Sequence, residues 1–137
     1  MTKMRTYKVA VILLFMTMVV GCASLSDLMR RQKFDDTVDH FRQVMRWSTL
    51  EAAMGFRKGE QAVDPSELNM LKRIKITSCE FARTTLLENK TRISQVAEIQ
   101  YYKIDDPLVK TLSANLLWEY DPMKDNWYII DGWPDFK

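Results

Sequence analysis

The chain is poor in the residues that most often carry chemistry. Its 137 residues include two cysteines and one histidine, with four glycines and four prolines. A single histidine and widely separated cysteines leave no cluster at metal-ligand spacing. There is also no Gly-rich phosphate loop and no nucleophile elbow. The longest apolar run, Val9 to Val20, is twelve residues broken only by Thr17. A mature helix crossing the ~30 Å hydrocarbon core takes about 20, so this run is too short to span as one. Internal repeats, low-complexity tracts and Gly/Ser linkers are absent, which points to one domain large enough for a real core.

What stands at the N-terminus is ordered. Lys3, Arg5 and Lys8 precede the apolar run, and no acidic residue occurs before Asp27. A positive region followed by an apolar stretch of this length is the pattern of a secretory signal peptide. The run closes on Val19-Val20-Gly21-Cys22, which resembles the lipobox of bacterial lipoproteins: an apolar residue, a tolerant position, a small residue and an obligatory cysteine. The alternatives are an uncleaved anchor or a cysteine placed there by chance. The resemblance implies cleavage between Gly21 and Cys22, diacylation of the Cys22 thiol and acylation of the new amine. Such chemistry has a physical reason. One acyl chain binds a membrane only marginally, at about 0.8 kcal/mol per buried CH₂, so a stable anchor needs two or more. In Gram-negative lipoproteins an Asp after the cysteine favours retention in the inner membrane. Ala23 and Ser24 stand here instead, which implies sorting to the outer membrane, on its periplasmic face. The expected organisation is a signal peptide over 1–21, an acylated cysteine with a short tether over 22–25, and one domain over 26–137.

Cleavage alters the electrostatics. The whole chain has 20 Lys and Arg against 18 Asp and Glu. Three of the cations lie in residues 1–21, leaving 17 against 18, a net charge of −1. Nucleic-acid binding, which needs a basic excess on one face, is thereby disfavoured. With Cys22 acylated, Cys79 has no intramolecular partner even in an oxidising compartment, and reads as a small buried side chain. An intermolecular disulfide or a reactive thiol is the sharper alternative, with no neighbouring motif to support it.

Ser24 or Ser26 is placed to cap a helix running to about Ser48 without Pro or Gly. Phe34, Val38, Phe41 and Met45 follow at spacings of four, three and four, forming one apolar stripe. Thr49 is placed to cap a second, short helix ending near Gly55 or Gly59. A loop follows, with at most a helical turn from Pro65 or Ser66. Thereafter the period becomes two. Strands are expected from Ile74 to about Leu87 with a bulge, from Arg92 to Ile104, from Val109 to Tyr120 and from Trp127 to Asp131. Glu88–Lys90, Asp105–Pro107 and Asp121–Asn126 would be the turns. In the third strand Leu112, Ala114, Leu116, Trp118 and Tyr120 share one face. Helices followed by four strands in meander order give an α+β fold: a long helix and a short one packed on a bent four-stranded antiparallel sheet. That order, with the hairpin "LLWEYDPMKDNWYIIDGWP" and its Gly-x-Pro exit, resembles the nuclear transport factor 2-like cone. Cystatin-like relatives are the nearest alternative.

Some enzymes of that fold use an Asp or His inside the cone as a general base, which has to project into the cavity. His40 lies about 120° from the centre of the apolar stripe at 100° per residue, so a surface position is expected. Asp105 and Asp106, and likewise Asp121 and Asp125, suit turn chemistry. No catalytic or metal-binding residue can be named, and no cofactor is implied. Of Trp47, Trp118, Trp127 and Trp133, most should be core, with Trp133 the one expected to be partly exposed. The cluster Met29-Arg30-Arg31-Gln32-Lys33 begins seven residues after Cys22. Arg30, Arg31 and Lys33 are either a solvated helix face or a contact for anionic headgroups, near which each basic residue contributes about 1 kcal/mol.

These readings converge on a lipid-anchored outer-membrane lipoprotein that acts as a binding or assembly module in the cell envelope. Its partners would be the membrane, through the N-terminal lipid, and an envelope protein or a small apolar ligand. A small-molecule isomerase or hydrolase using the cone cavity is the alternative. An open pocket with a buried carboxylate would favour the enzyme, and a cone filled by aromatic side chains the module.

Overall fold

A computed structural model describes residues 25–59, 63–87 and 90–137. The chain falls into two compact units, residues 1–33 and 34–137. Helix α1 (Thr2–Trp47) is described from Leu25 onward. It is followed by α2 (Leu50–Ala53), a 3-10 turn (Met54–Phe56) and α3 (Pro65–Lys72). Four strands complete the fold: β1 (Ile74–Leu86), β2 (Arg92–Lys103), β3 (Asp106–Asp121) and β4 (Asn126–Asp131). They form one antiparallel sheet in the order β1-β2-β3-β4. The architecture is α+β.

In residues 34–137 the helical stripe is buried as its spacing requires. Phe34, Val38, Phe41 and Met45 all lie in the core. They meet the inner face of the sheet, where Ala114, Leu116 and Trp118 of β3 alternate with exposed Ser113 and Asn115. The rings interlock edge to face: Phe34 lies 5.8 Å from Trp118 and 5.1 Å from Trp127, and Phe41 lies 5.6 Å from Trp118. Such geometry sets the positive edge of one ring on the negative face of the next.

Local chemistry fixes the helix ends. The Thr49 hydroxyl accepts a hydrogen bond from the Ala52 amide at 3.2 Å and so caps α2. Asp64 does the same for α3 through the Ser66 amide at 2.9 Å, with Pro65 at the first position, where its missing N–H costs nothing. Helix α3 thus runs eight residues where a single turn was expected. Ser26, expected as one of two caps, falls inside α1, and Ser24 lies outside the described residues.

Register shifts interrupt the ladder between β1 and β2 at Ile76/Ser78 and Phe81/Arg83. These are the irregularities that the shifting alternation of β1 foreshadowed, and each bends and twists its strand. A further shift corrects the expected start of β3. Lys103 pairs with Asp106 and Tyr101 with Lys110, so Pro107, Leu108 and Val109 bulge opposite Tyr102 alone. The strand therefore begins at Asp106 rather than Val109, because a proline without an N–H is tolerated in a bulge. The outer edge of β4 is covered by the chain following the 3-10 turn: Arg57 bridges Ile129, and the Lys58 amide donates to the Ile129 carbonyl at 2.9 Å. The Lys58 ammonium and the Arg92 guanidinium both bind Glu119. Hydrogen bonds from Lys58 and then Arg92 hold the Glu119 carboxyl below its ordinary range.

Candidate functional site

Two regions bear on function: the N-terminal segment and the interior of the sheet. Gly21, Cys22, Ala23 and Ser24, on which the expected anchor and its expected sorting rest, lie outside the described residues. The described part of the first unit begins at Leu25. There Arg31 is exposed, while Arg30 is half-buried and pairs with Asp27 one turn earlier at 3.5 Å. Lys33 is half-buried. Leu25, Leu28 and Met29 are 58%, 63% and 64% exposed. Their spacing of i, i+3 and i+4 sets them on one helical face, with the cations of the same stretch to either side of it. An apolar stripe edged by basic side chains suits a membrane interface. Sequence reasoning singled out the cations but missed the stripe, although its spacing was visible in the sequence.

The interior is crowded with large side chains. Phe41, Trp118, Trp127 and Phe136 are fully buried, as is Met45. Among the described residues the one buried polar side chain is Gln95. It is satisfied on both sides: its amide nitrogen donates to Thr84 Oγ1 at 3.2 Å, and its oxygen accepts from Trp118 Nε1 at 3.1 Å. A buried amide bonded on both its donor and its acceptor side helps to specify the packing around it. Cys79 sits on the inner face of β1, fully buried, and burial pushes its thiol up to about 11. It is a neutral core side chain, out of reach of an oxidant or a partner thiol.

The remaining titratable candidates lie at the surface. His40 is exposed, with its ring edge-on to Phe56 at 5.4 Å. Asp105 pairs with Arg73 at 2.7 Å. Asp121 accepts from the Met123 and Lys124 amides at 2.9 and 3.4 Å, which closes the β3–β4 turn, and Asp125 accepts from the Tyr120 hydroxyl. These are the turn roles expected of them. Among the described residues no three His, Cys, Asp or Glu side chains converge on a common point.

Trp133 is partly exposed, as expected, but a second tryptophan that the sequence did not single out, Trp47, is the exposed one, at 79%. At the end of α1 it lies about 120° round the helix from Phe41, counting 100° per residue, and so off the buried stripe. Trp133 is half-buried between Phe41, 6.3 Å away, and the Arg57 guanidinium, 5.6 Å from its ring.

No helix among the described residues is long and apolar enough to cross a membrane. Comparison of the chain with protein-family models, with characterised proteins and with solved structures finds no match.

Proposed function

We propose that the chain is a bacterial lipoprotein, anchored through acylated Cys22 to the periplasmic face of the outer membrane. Its domain, of nuclear transport factor 2-like type, would be a binding or assembly module of the cell envelope. The observation that carries this reading is the order of segments: a positive start, a twelve-residue apolar run, then Val19-Val20-Gly21-Cys22. The crowded interior supports a module over an enzyme. Large aromatic side chains crowd the interior, and no described carboxylate is buried beside them.

Growth with a fatty-acid probe tests the anchor. The wild-type chain is expected to take up label, and Cys22→Ala to take up none and remain unprocessed. Equal incorporation in the two would end the lipoprotein reading. Sorting follows from the next two residues: the protein should sediment with the outer membrane on a density gradient, and Ala23→Asp should move it to the inner membrane. Recovery of the unaltered protein mainly with the inner membrane would contradict the sorting.

The cations near the proposed anchor add a third prediction. Reversing Arg30, Arg31 and Lys33 to Glu in an unlipidated chain of residues 23–137 should weaken its sedimentation with anionic vesicles. The loss should fade at high salt, because headgroup contacts act within a Debye length of about 8–10 Å at moderate ionic strength. Equal binding at low salt would reduce the cluster to a solvated helix face. The acyl chains must be absent, since their burial would mask a few kcal/mol.

A further inference from the structure

The β2–β3 hairpin carries a cluster that the core does not use. Ile104, Leu108 and Val109 are 59%, 66% and 54% exposed, and Met70 of α3 is 39% exposed. They belong to one place. The Ile104 amide donates to the Arg73 carbonyl at 2.8 Å, which fastens the hairpin tip to the end of α3. Between them lies an open depression of about 440 Å³, lined by Met70, Arg73, Lys103 and Asp105 among others.

Cations surround this aliphatic tip. Lys72 and Arg73 close α3. Lys75 stands opposite Tyr102, Lys103 opposite Ile74, and Lys110 opposite Tyr101. The carboxylates at the same end are Asp105, bound to Arg73 at 2.7 Å, and Asp106, 3.8 Å from Lys110. Lys137 and Asp135, brought near by the Tyr101 hydroxyl donating to the Lys137 carbonyl, pair with each other at 2.9 Å. Among the described residues, these five cations against two carboxylates leave an excess of three positive charges around three exposed aliphatic side chains.

We infer that this hairpin tip is an interfacial contact for an anionic lipid surface. Ile104, Leu108 and Val109 would enter the headgroup boundary, with Lys75, Lys103 and Lys110 on lipid phosphates. Long lysine stems can lie along apolar surface while their ammonium groups reach the headgroups. Each such cation is worth about fivefold in partitioning onto an anionic surface. A second copy of the chain on this tip would bring like charges together. Single-stranded nucleic acid favours exposed aromatic platforms, whereas this ridge is aliphatic. The inference stands on the hairpin's own chemistry and does not require Cys22 to be acylated.

The test places an environment-sensitive fluorophore on the full chain at Leu108→Cys and reconstitutes it into vesicles. Cys79 is too buried to compete for the label. The label is also read on a Cys22→Ala background, so that failure of the anchor and failure of the tip give different results. In phosphatidylglycerol-containing vesicles the emission should shift to the blue and be quenched by quencher-bearing acyl chains. In phosphatidylcholine vesicles it should report water, as it should in about 1 M salt, where the Debye length is about 3 Å. Lys75→Glu with Lys103→Glu should weaken the contact by about tenfold or more, with circular dichroism unchanged. A label that stays in water on anionic vesicles at low salt would overturn the inference. So would shielding that rises with protein concentration in the absence of lipid, or that appears only with an added acidic protein.

Discussion

Trp118→Ala is expected to cost about 4 kcal/mol and to lower the melting temperature by roughly 15–30 °C. Trp118 is wholly buried and presents its ring to Phe34 and Phe41 edge to face. Deleting a buried tryptophan costs about 3–5 kcal/mol, because the packed helix and sheet cannot collapse into the space. The loss has a polar part as well. The Trp118 Nε1–H donates to buried Gln95, and leaving that acceptor unpaired adds about 1 kcal/mol or more. Domains are stable by about 5–15 kcal/mol, so this one change removes a large share. Trp47→Ala is the control: at 79% exposure it touches little, and such surface changes stay within about 0.5 kcal/mol. Urea unfolding followed by circular dichroism separates the two. Similar midpoints for both variants would mean that Trp118 is not the centre of the core.

Gly132→Ala should be nearly as damaging, for a reason unrelated to apolar area. Gly132 sits at φ +77°, and an added Cβ would lie 1.8 Å from the Asn115 carbonyl oxygen and 2.7 Å from its carbon. The left-handed backbone alone costs a residue with a side chain about 1–2 kcal/mol. The overlap cannot be relieved cheaply, because Asn115 is fixed in the middle of β3 opposite Val96. Relief has to come from the C-terminal segment. That segment carries Phe136, which is buried 5.1 Å from the Tyr101 ring, and Lys137, whose carbonyl accepts from the Tyr101 hydroxyl at 2.9 Å. The expected result is early proteolysis after Asp131 and faster amide exchange around Tyr101. Gly55→Ala is the contrast, since nothing lies within 4 Å of the new Cβ. Equal protease resistance in the two variants would contradict the close approach at Gly132.

Much of the fold could be read from periodicity, because periodicity and burial have the same cause. The stripe from Phe34 to Met45 and the alternation of β3 each present one face to the same core. The Thr49 cap was equally legible, since a hydroxyl before a helix acts on amides three residues away at most. What escaped was set by tertiary geometry. Pro107 looked like a strand breaker, yet its strand accommodates it in a bulge opposite Tyr102. Trp47 was not singled out as exposed, yet the fold leaves it uncovered at the end of α1. The basic cluster at Arg30–Lys33 was visible as charge. The exposure of Leu25, Leu28 and Met29 beside it, and of Ile104, Leu108 and Val109 at the hairpin, depends on what the fold leaves uncovered. The proposed lipobox is different in kind. A processing enzyme would read Val19-Val20-Gly21-Cys22 as a linear sequence, without any fold.

The most direct measurement is the intact mass of the protein extracted from membranes in detergent, with fragmentation of its N-terminal peptide. The account predicts a chain that begins at Cys22 and carries the added mass of a diacylglyceryl group on the thiol, with a further acyl group on the amine. A chain that retains residues 1–21, or one cut elsewhere with a free Cys22 thiol or none, would contradict it.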